Sequence, residues 1–142
     1  MNLIRFIFTL IPFILFPQEN DICGTWIEKK KQSHIEIYKN DNNLYEGKIV
    51  WLAQPLDENG QIKKDKENPI ISLRNENLQG LTIIKNLEYL DNNEWSNGTI
   101  YDARSGKTYS LNAHLKNKNT LFMRGYIGFS FIGRTTTWTR VN

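Results

Sequence analysis

The fold is decided by the stretch LFMRGYIGFSFIGRTTTWTR, residues 121–140. Its two ends alternate large or branched side chains with others, as β-strands do. Its middle contains Gly125, Gly128 and Gly133, where a strand can bend sharply because glycine lacks a Cβ atom. The stretch therefore predicts two β-strands joined by a tight corner.

The last of these strands sorts its side chains by face. Because successive residues of a strand point to opposite sides, one face carries Arg134, Thr136, Trp138 and Arg140. The other face carries mostly threonines. A face that combines cations with an aromatic ring suits the end of a barrel or a polar-lined cavity.

Bulk composition indicates one soluble domain. The 142 residues have room for a single core, and 12% of them are aromatic. Lys plus Arg exceed Asp plus Glu by 18 to 15, and the cations are spread along the chain, which argues against nucleic-acid binding. Cys23 is the one cysteine, so no internal disulfide can form, and we interpret it as a small apolar residue.

The N-terminus is typical of a signal peptide. Arg5 precedes a predominantly apolar run from Phe6 to Phe16, which is too short to span a bilayer comfortably. We therefore assign residues 1–18 to a signal peptide and residues 19–142 to the folded domain. We expect export to the periplasm or the extracellular space, with no transmembrane segment in the mature chain.

Segments of alternating pattern recur through the domain, separated by turn residues and without a sustained helical period. They are residues 24–30, 33–39, 44–52, 80–90, 95–102 and 107–116, followed by the two C-terminal strands. The sequence predicts an all-β fold of about eight antiparallel strands in an up-and-down barrel. A β-sandwich is the alternative. Residues 53–77 interrupt the rhythm and are expected to form a functional lid or a mobile excursion.

The tripeptide Gly24-Thr25-Trp26, together with Arg140 in the last strand, resembles the pattern of lipocalins and other calycins. The resemblance implies that the Trp26 indole closes one end of the barrel and that Arg140 packs over it. A guanidinium over an indole face is stabilised by cation–π attraction.

A longer pattern is similar to the exported bacterial family called domain of unknown function 2147. It comprises DICGTW at 21–26, YEGKI at 45–49, NP at 68–69, GL at 80–81, WSNGTIYD at 95–102, SGKTY at 105–109 and the whole 121–140 stretch. Ala103 departs from the family pattern, which usually has proline there. The resemblance implies an exported, lipocalin-like barrel and carries no established activity.

No catalytic signature accompanies this architecture. His34 and His114 are not spaced as metal ligands, and the sequence contains neither a Gly-x-Ser-x-Gly motif nor a phosphate-binding loop. We therefore expect no enzyme activity, no metal and no cofactor. A catalytic site would need titratable groups that converge in a cavity, for instance Asp102 with Tyr101 or His114, and nothing in the sequence fixes such a pair.

The candidate ligand-binding residues are cations and aromatics on predicted strands: Arg124, Tyr126, Arg134, Tyr101, Trp51 and Trp95. Buried arginines need a partner or an anion, and the aromatics could line a cavity or simply pack in the core. The leading hypothesis is a non-catalytic cell-envelope protein that holds a small amphipathic or anionic ligand in the barrel. The alternative is a protein-interaction module with a packed interior, which contacts an unidentified protein partner through the 53–77 loop.

Overall fold

A computed structural model of the protein describes residues 22–129 and 131–142, together with Pro12. The assigned signal peptide, residues 1–18, lies outside the described residues apart from Pro12. Over the described part of the chain, we find no helix that combines the length and the apolar character of a membrane span.

Eight antiparallel strands form a closed barrel in which each strand pairs with its neighbours in sequence and β1 pairs with β8. The strands are β1 Gly24–Glu28, β2 Ser33–Lys39, β3 Tyr45–Leu52, β4 Thr82–Tyr89, β5 Glu94–Asp102, β6 Lys107–Asn117, β7 Thr120–Tyr126 and β8 Gly133–Arg140. The up-and-down barrel predicted from the sequence is confirmed, and the β-sandwich alternative is wrong.

Because the strands alternate in direction, their connections fall at two ends. One end, here called the mouth end, has the connections at 29–32, 53–81, 103–106 and 127–132. The other end, here called the base, has the short turns between β2 and β3, β4 and β5, and β6 and β7. The first residue of β1 and the last residue of β8 also lie at the base.

The core fills the barrel towards the base. Tyr45 and Trp95 meet edge to face with their ring centroids 6.1 Å apart, and both side chains are fully buried. Gly98 is required by close packing, since a Cβ atom there would lie 2.7 Å from Leu87 Cδ1 and 3.1 Å from Leu87 Cα. This part of the interior therefore has no room for a ligand.

The base is closed by Trp26 and Arg140. The Cζ atom of Arg140 lies 4.2 Å from the Trp26 ring centroid, within cation–π range. The Trp26 indole is fully buried and donates its Nε1–H to the carbonyl of Ile22 at 2.9 Å. Gly24 has φ +134, and a Cβ atom there would collide with Nη1 of Arg140. Gly24, Trp26 and Arg140 thus form one tightly fitted unit.

The long β3–β4 connection contains local structure of its own. Leu56 bridges Ile62, Lys64 bridges Asn77, and a short 3₁₀ helix spans Ile71–Leu73. We call residues 53–77 the excursion. Ordered internal bridges show that it is a compact appendage rather than a structureless loop.

Candidate functional site

The inner face of the barrel changes from buried to exposed towards the mouth. Leu111 pairs with Gly125, Gly125 pairs with Arg134, and Met123 pairs with Thr136. Directly paired residues share a face of the sheet, and Leu111 and Met123 are core residues, so Gly125, Arg134 and Thr136 face inward. Arg134 and Thr136 are nevertheless exposed. The interior above Met123 is therefore open to solvent.

The wall of this opening is mixed in chemistry. A Cβ atom on Gly125 would lie 3.8 Å from Tyr109 Cβ and 3.9 Å from Ile100 Cγ2, at ordinary contact distances. Ile100 and Tyr109 are both half-buried. Ile100 and Tyr109 thus bound the opening above an apolar floor, and the inward-facing, exposed Arg134 lies on the strand beside Gly125.

A short β1 extends the opening down one side of the barrel. The β1–β8 pairing covers Trp26 to Glu28 against Arg140 to Trp138, whereas β8 continues upward to Gly133. In the register of the described residues, the upper half of β8 is therefore not paired with β1. At the usual rise per strand residue this unpaired edge is roughly 16 Å long.

Two of the predicted ligand-binding residues point away from this opening. Arg124 pairs with Asn112 and Thr135, which alternate with inward-facing residues, so Arg124 lies on the outer wall. Its Nη1 donates to Thr135 Oγ1 at 3.0 Å. Tyr126 shares that outer face. Arg134 faces inward, and one ligand inside the barrel therefore cannot meet all three side chains.

The two tryptophans that were predicted to bind a ligand differ in burial. Trp95 is 1% exposed and belongs to the core, whereas Trp51 is 42% exposed. Ile35 pairs with Ile49, but His34 pairs with Trp51, so β3 contains a β-bulge at this point. The Trp51 ring consequently packs on the His34 imidazole, with the ring centroids 4.4 Å apart.

Tyr101 anchors the excursion. It lies on the opposite face of β5 from the inward-facing Ile100, and its hydroxyl donates to Asp65 Oδ1 at 2.7 Å. Asp65 is fully buried and accepts a second hydrogen bond from Asn68 Nδ2 at 2.7 Å. Burial raises the pKa of Tyr101 to about 12, aided by the hydrogen bond to Asp65 and the negative charge of Asp65. Tyr101 therefore acts as a neutral donor.

Sequence reasoning missed Asp65. It lies in the charged run Lys63-Lys64-Asp65-Lys66-Glu67, where nothing distinguishes one solvated carboxylate from a buried one. A useful signal is the nearby Asn68-Pro69 pair, because an Asx side chain before proline favours an ordered turn. Asn68 Oδ1 indeed accepts a hydrogen bond from the backbone N–H of Ile70 at 2.9 Å.

Asp102 is occupied in its own turn. Its Oδ1 accepts from the backbone N–H of Arg104 at 3.1 Å and from Arg104 Nε at 3.2 Å, and its Oδ2 accepts from Ser105 Oγ at 3.1 Å. Burial opposes the charged form, but these hydrogen bonds and the Arg104 charge outweigh it and lower the pKa of Asp102. The carboxylate stabilises the β5–β6 turn.

A second concavity lies on the outer wall of the barrel. This groove of about 260 Å³ crosses β5 to β8. It is lined by Leu90, Glu94, Trp95, Ser96, Asn112, Ala113, His114, Phe122, Arg124 and Thr135. Asn112 Oδ1 is buried there without a hydrogen-bond partner. Arg124 therefore lines this outer groove, which is separate from the mouth.

Clusters of three or more His, Cys, Asp or Glu side chains that could bind a metal ion are absent from the residues described above.

Comparisons with known proteins support the architecture. A family model described as an uncharacterized protein conserved in bacteria, DUF2147, matches residues 24–140. The solved structure of protein HP1028 from Helicobacter pylori, described as belonging to the lipocalin family, is similar to this chain with a TM-score of 0.72. The two sequences are 22% identical, and the match covers 84% of this chain and 82% of that one. A search of curated proteins gave no match. The fold is a lipocalin-like barrel.

Proposed function

Since this chain belongs to the bacterial protein family DUF2147, we propose that it is a non-catalytic binding protein of the cell envelope. It would hold a small amphipathic ligand in the open end of its barrel. The observation that carries the proposal is the change along one inner face, from buried Met123 and Leu111 to exposed Thr136 and Arg134. Eight-stranded barrels have an interior large enough for one small ligand, which supports the assignment.

The proposed ligand has an apolar body and an anionic end. The body would lie against Ile100 and Tyr109 above the buried floor, where burial of apolar area supplies the affinity. The anionic end would meet the Arg134 guanidinium, which presents several N–H donors in a planar arrangement. Within this proposal Arg124, Tyr126, Trp51 and Trp95 do not contact the ligand, and Tyr101 acts through the excursion.

The assignment to the cell envelope rests on the N-terminal sequence. The cationic start and the apolar run to Phe16 are typical of an export signal. Because Cys23 is the one cysteine, the proposed export does not involve an internal disulfide bond. Fractionation of a bacterium that expresses the full chain, followed by mass measurement of the mature N terminus, tests this part. Recovery of the intact chain in the cytosol would refute it.

Binding is tested with 8-anilinonaphthalene-1-sulfonate, an amphipathic anion that fluoresces in apolar sites, and with native mass spectrometry of the purified protein. We expect saturable binding of one probe molecule, weakened about tenfold or more in Arg134→Ala, since a charge-assisted contact is lost. Gly125→Leu should abolish binding because its side chain fills the opening. Arg124→Ala, on the outer wall, is the matched control. Equal binding by the wild type, Arg134→Ala and Gly125→Leu would refute the proposal.

A second candidate is a protein-interaction module, favoured by the surface of the excursion. Its side chains Leu56, Ile62, Ile70, Ile71 and Leu73 are between 39% and 76% exposed. The test is in-cell cross-linking of the wild type and of Ile70→Ser/Ile71→Ser, two substitutions that leave the Asp65 anchor intact. A defined cross-linked partner that is lost in the double variant would favour this candidate. Identical cross-linking of both proteins would exclude it.

A further inference from the structure

We propose that the mouth end of the barrel docks onto an anionic phospholipid membrane, with the β7–β8 connection inserted into the lipid interface. This inference does not depend on a ligand in the barrel. It rests on the distribution of exposed apolar side chains, on the shape of the β7–β8 hairpin and on the cations beside it.

Exposed apolar side chains concentrate at the mouth end. Among the residues that the structure describes, eleven large hydrophobic side chains are exposed, and ten of them lie at the end of β3 or in the mouth-end connections. The exception is Leu90, in a turn at the base. Single exposed hydrophobics are ordinary on a protein surface, but a one-sided concentration marks an interaction surface.

The β7–β8 connection is the most apolar part of this end. Ile127, Phe129, Phe131 and Ile132 are 66%, 67%, 77% and 59% exposed. The rings of Phe129 and Phe131 stack on one another with centroids 5.5 Å apart and an interplanar angle of 11°. Because β8 extends past the end of β1, this tip projects beyond the neighbouring β1–β2 turn. It is shaped to enter an apolar phase before the barrel wall does.

Cations lie behind the tip on both sides. The turn after β1, the neighbour of β8, contains the three exposed lysines Lys29, Lys30 and Lys31. On the other side, the β5–β6 turn contributes the exposed Arg104, and the first residue of β6, the neighbour of β7, is the exposed Lys107. The nearby carboxylates are Glu28, Asp102, which is paired with Arg104, and Glu67, whose residue packs on Gly106, so these five cations still outnumber the carboxylates. The excess of positive charge favours a negatively charged surface.

This combination identifies the partner as a lipid surface. Aromatic and aliphatic side chains enter the interface between headgroups and acyl chains, and lysines behind them are attracted to anionic headgroups. A protein partner would not require cations on both sides of an apolar tip. Docking in this orientation would also direct the barrel opening towards the bilayer.

The experiment measures co-sedimentation of the purified protein with vesicles of phosphatidylcholine alone or mixed with phosphatidylglycerol. Mass spectrometry confirms that all variants have the same N terminus, so that any contribution of residues 1–21 is common to them. We expect binding to the mixed vesicles, little binding to the neutral ones, and release when the salt concentration rises from about 0.1 to 1 M.

Phe129→Ser/Phe131→Ser should weaken partitioning into mixed vesicles by about tenfold or more, since two rings no longer enter the lipid. Leu90→Ser, at the base, is its matched control and should bind as the wild type does. Lys29→Gln/Lys30→Gln should also lose about tenfold or more. Lys116→Gln/Lys118→Gln removes the same number of charges elsewhere and should have no effect.

Failure of the wild type to bind mixed vesicles, or equal binding by the wild type and the double phenylalanine variant, would overturn the proposal. The alternative partner of the tip is a second copy of this chain, and sedimentation velocity without lipid tests for such a dimer. A dimer that dissociates in the phenylalanine variant, with no vesicle binding by the wild type, would show that the tip contacts a second copy of the chain instead. Arg134 is unchanged in all these proteins, so probe binding in the barrel is measured independently.

Discussion

Arg140 and Trp26 close the base of the barrel through contacts on three elements. The Arg140 Cζ atom lies 4.2 Å from the Trp26 ring centroid. Its Nη1 donates to the carbonyl of Cys23 at 2.8 Å, and its Nε donates to the carbonyl of Lys118 at 2.7 Å. One side chain thus joins the start of β1, the β6–β7 turn and the end of β8.

Arg140→Ala should lower the free energy of unfolding by about 2–4 kcal/mol, because two carbonyls lose a charged donor and the indole loses its cation. Arg140→Lys should recover part of this, since an ammonium group cannot cover the ring and reach both carbonyls in the same way. Urea denaturation followed by tryptophan fluorescence measures the loss. Arg104→Ala, at an exposed ion pair, is the control and should cost less than about 1 kcal/mol. Equal losses in the two alanine variants would contradict the role given to Arg140.

Tyr101→Phe should loosen the excursion and change the stability of the protein in alkali. The hydroxyl's pKa is raised from 10.0 to about 12, so the stability that it contributes is fully present below pH 10 and is lost as the pH rises through about 12. The wild type should therefore lose more stability than Tyr101→Phe across this interval. At neutral pH the substitution should cost about 1–3 kcal/mol, since a buried carboxylate loses a donor.

Urea denaturation at several pH values and hydrogen exchange in residues 53–77 measure these effects. Tyr126→Phe, which lies on β7 rather than beside Asp65, is the control. Parallel pH profiles for the wild type and Tyr101→Phe would show that the Asp65 contact does not contribute.

Gly106→Ala should be much more harmful than Gly60→Ala. Both glycines have positive φ, +70 and +73, so the backbone strain introduced by alanine is matched at about 1 kcal/mol. A Cβ atom on Gly106 would also collide with the Glu67 carbonyl, whereas nothing lies within 4 Å of one on Gly60. We expect an additional loss of about 1–3 kcal/mol and faster proteolysis of the excursion in Gly106→Ala. Equal stability of the two variants would show that the excursion does not pack on the β5–β6 turn.

Gly98→Ala and Gly125→Ala compare the filled and the open parts of the interior. The first Cβ atom would press on Leu87 at 2.7 Å, and we expect a loss of about 1–3 kcal/mol. The second would make ordinary contacts at 3.8 and 3.9 Å, and we expect a change within about 0.5 kcal/mol. Thermal and urea unfolding of both variants provide the measurement. A large loss in Gly125→Ala would mean that the opening is occupied by the protein's own side chains.

Local pattern was sufficient to predict the strands and their order. The alternation of Leu111, Ala113 and Leu115 marks the buried face of β6, and the turn residues between strands favour pairing of neighbours. Eight such segments close into a barrel because closure removes unpaired edges. Family resemblance then supplied the expected contact between Trp26 and Arg140.

The sequence could not predict which candidate side chains face the barrel interior, because this depends on the register between strands. A single extra residue opposite His34 places Trp51 on the imidazole, although strict alternation groups Trp51 with buried Ile49. Likewise, the number of residues in the β7–β8 connection decides that Arg134 is opposite Gly125 rather than Arg124. The buried position of Asp65 depends on tertiary contact with Tyr101, which leaves no periodic trace in the sequence.

The adjacency of Gly24 and Arg140 at the base determines how the protein can be immobilised on a surface and how its chain can be circularly permuted. Val141 N–H still bonds to the Thr25 carbonyl at 2.8 Å, so a C-terminal tag leaves the barrel on the side opposite the 127–132 hairpin. Molecules tethered to a sensor chip through that tag should all present their opening and their phenylalanines to the flowing solution. Because Gly24 and Arg140 lie close together, a circular permutant that links residue 142 to residue 22 and begins in the exposed turn at Asn59-Gly60 should form the same barrel.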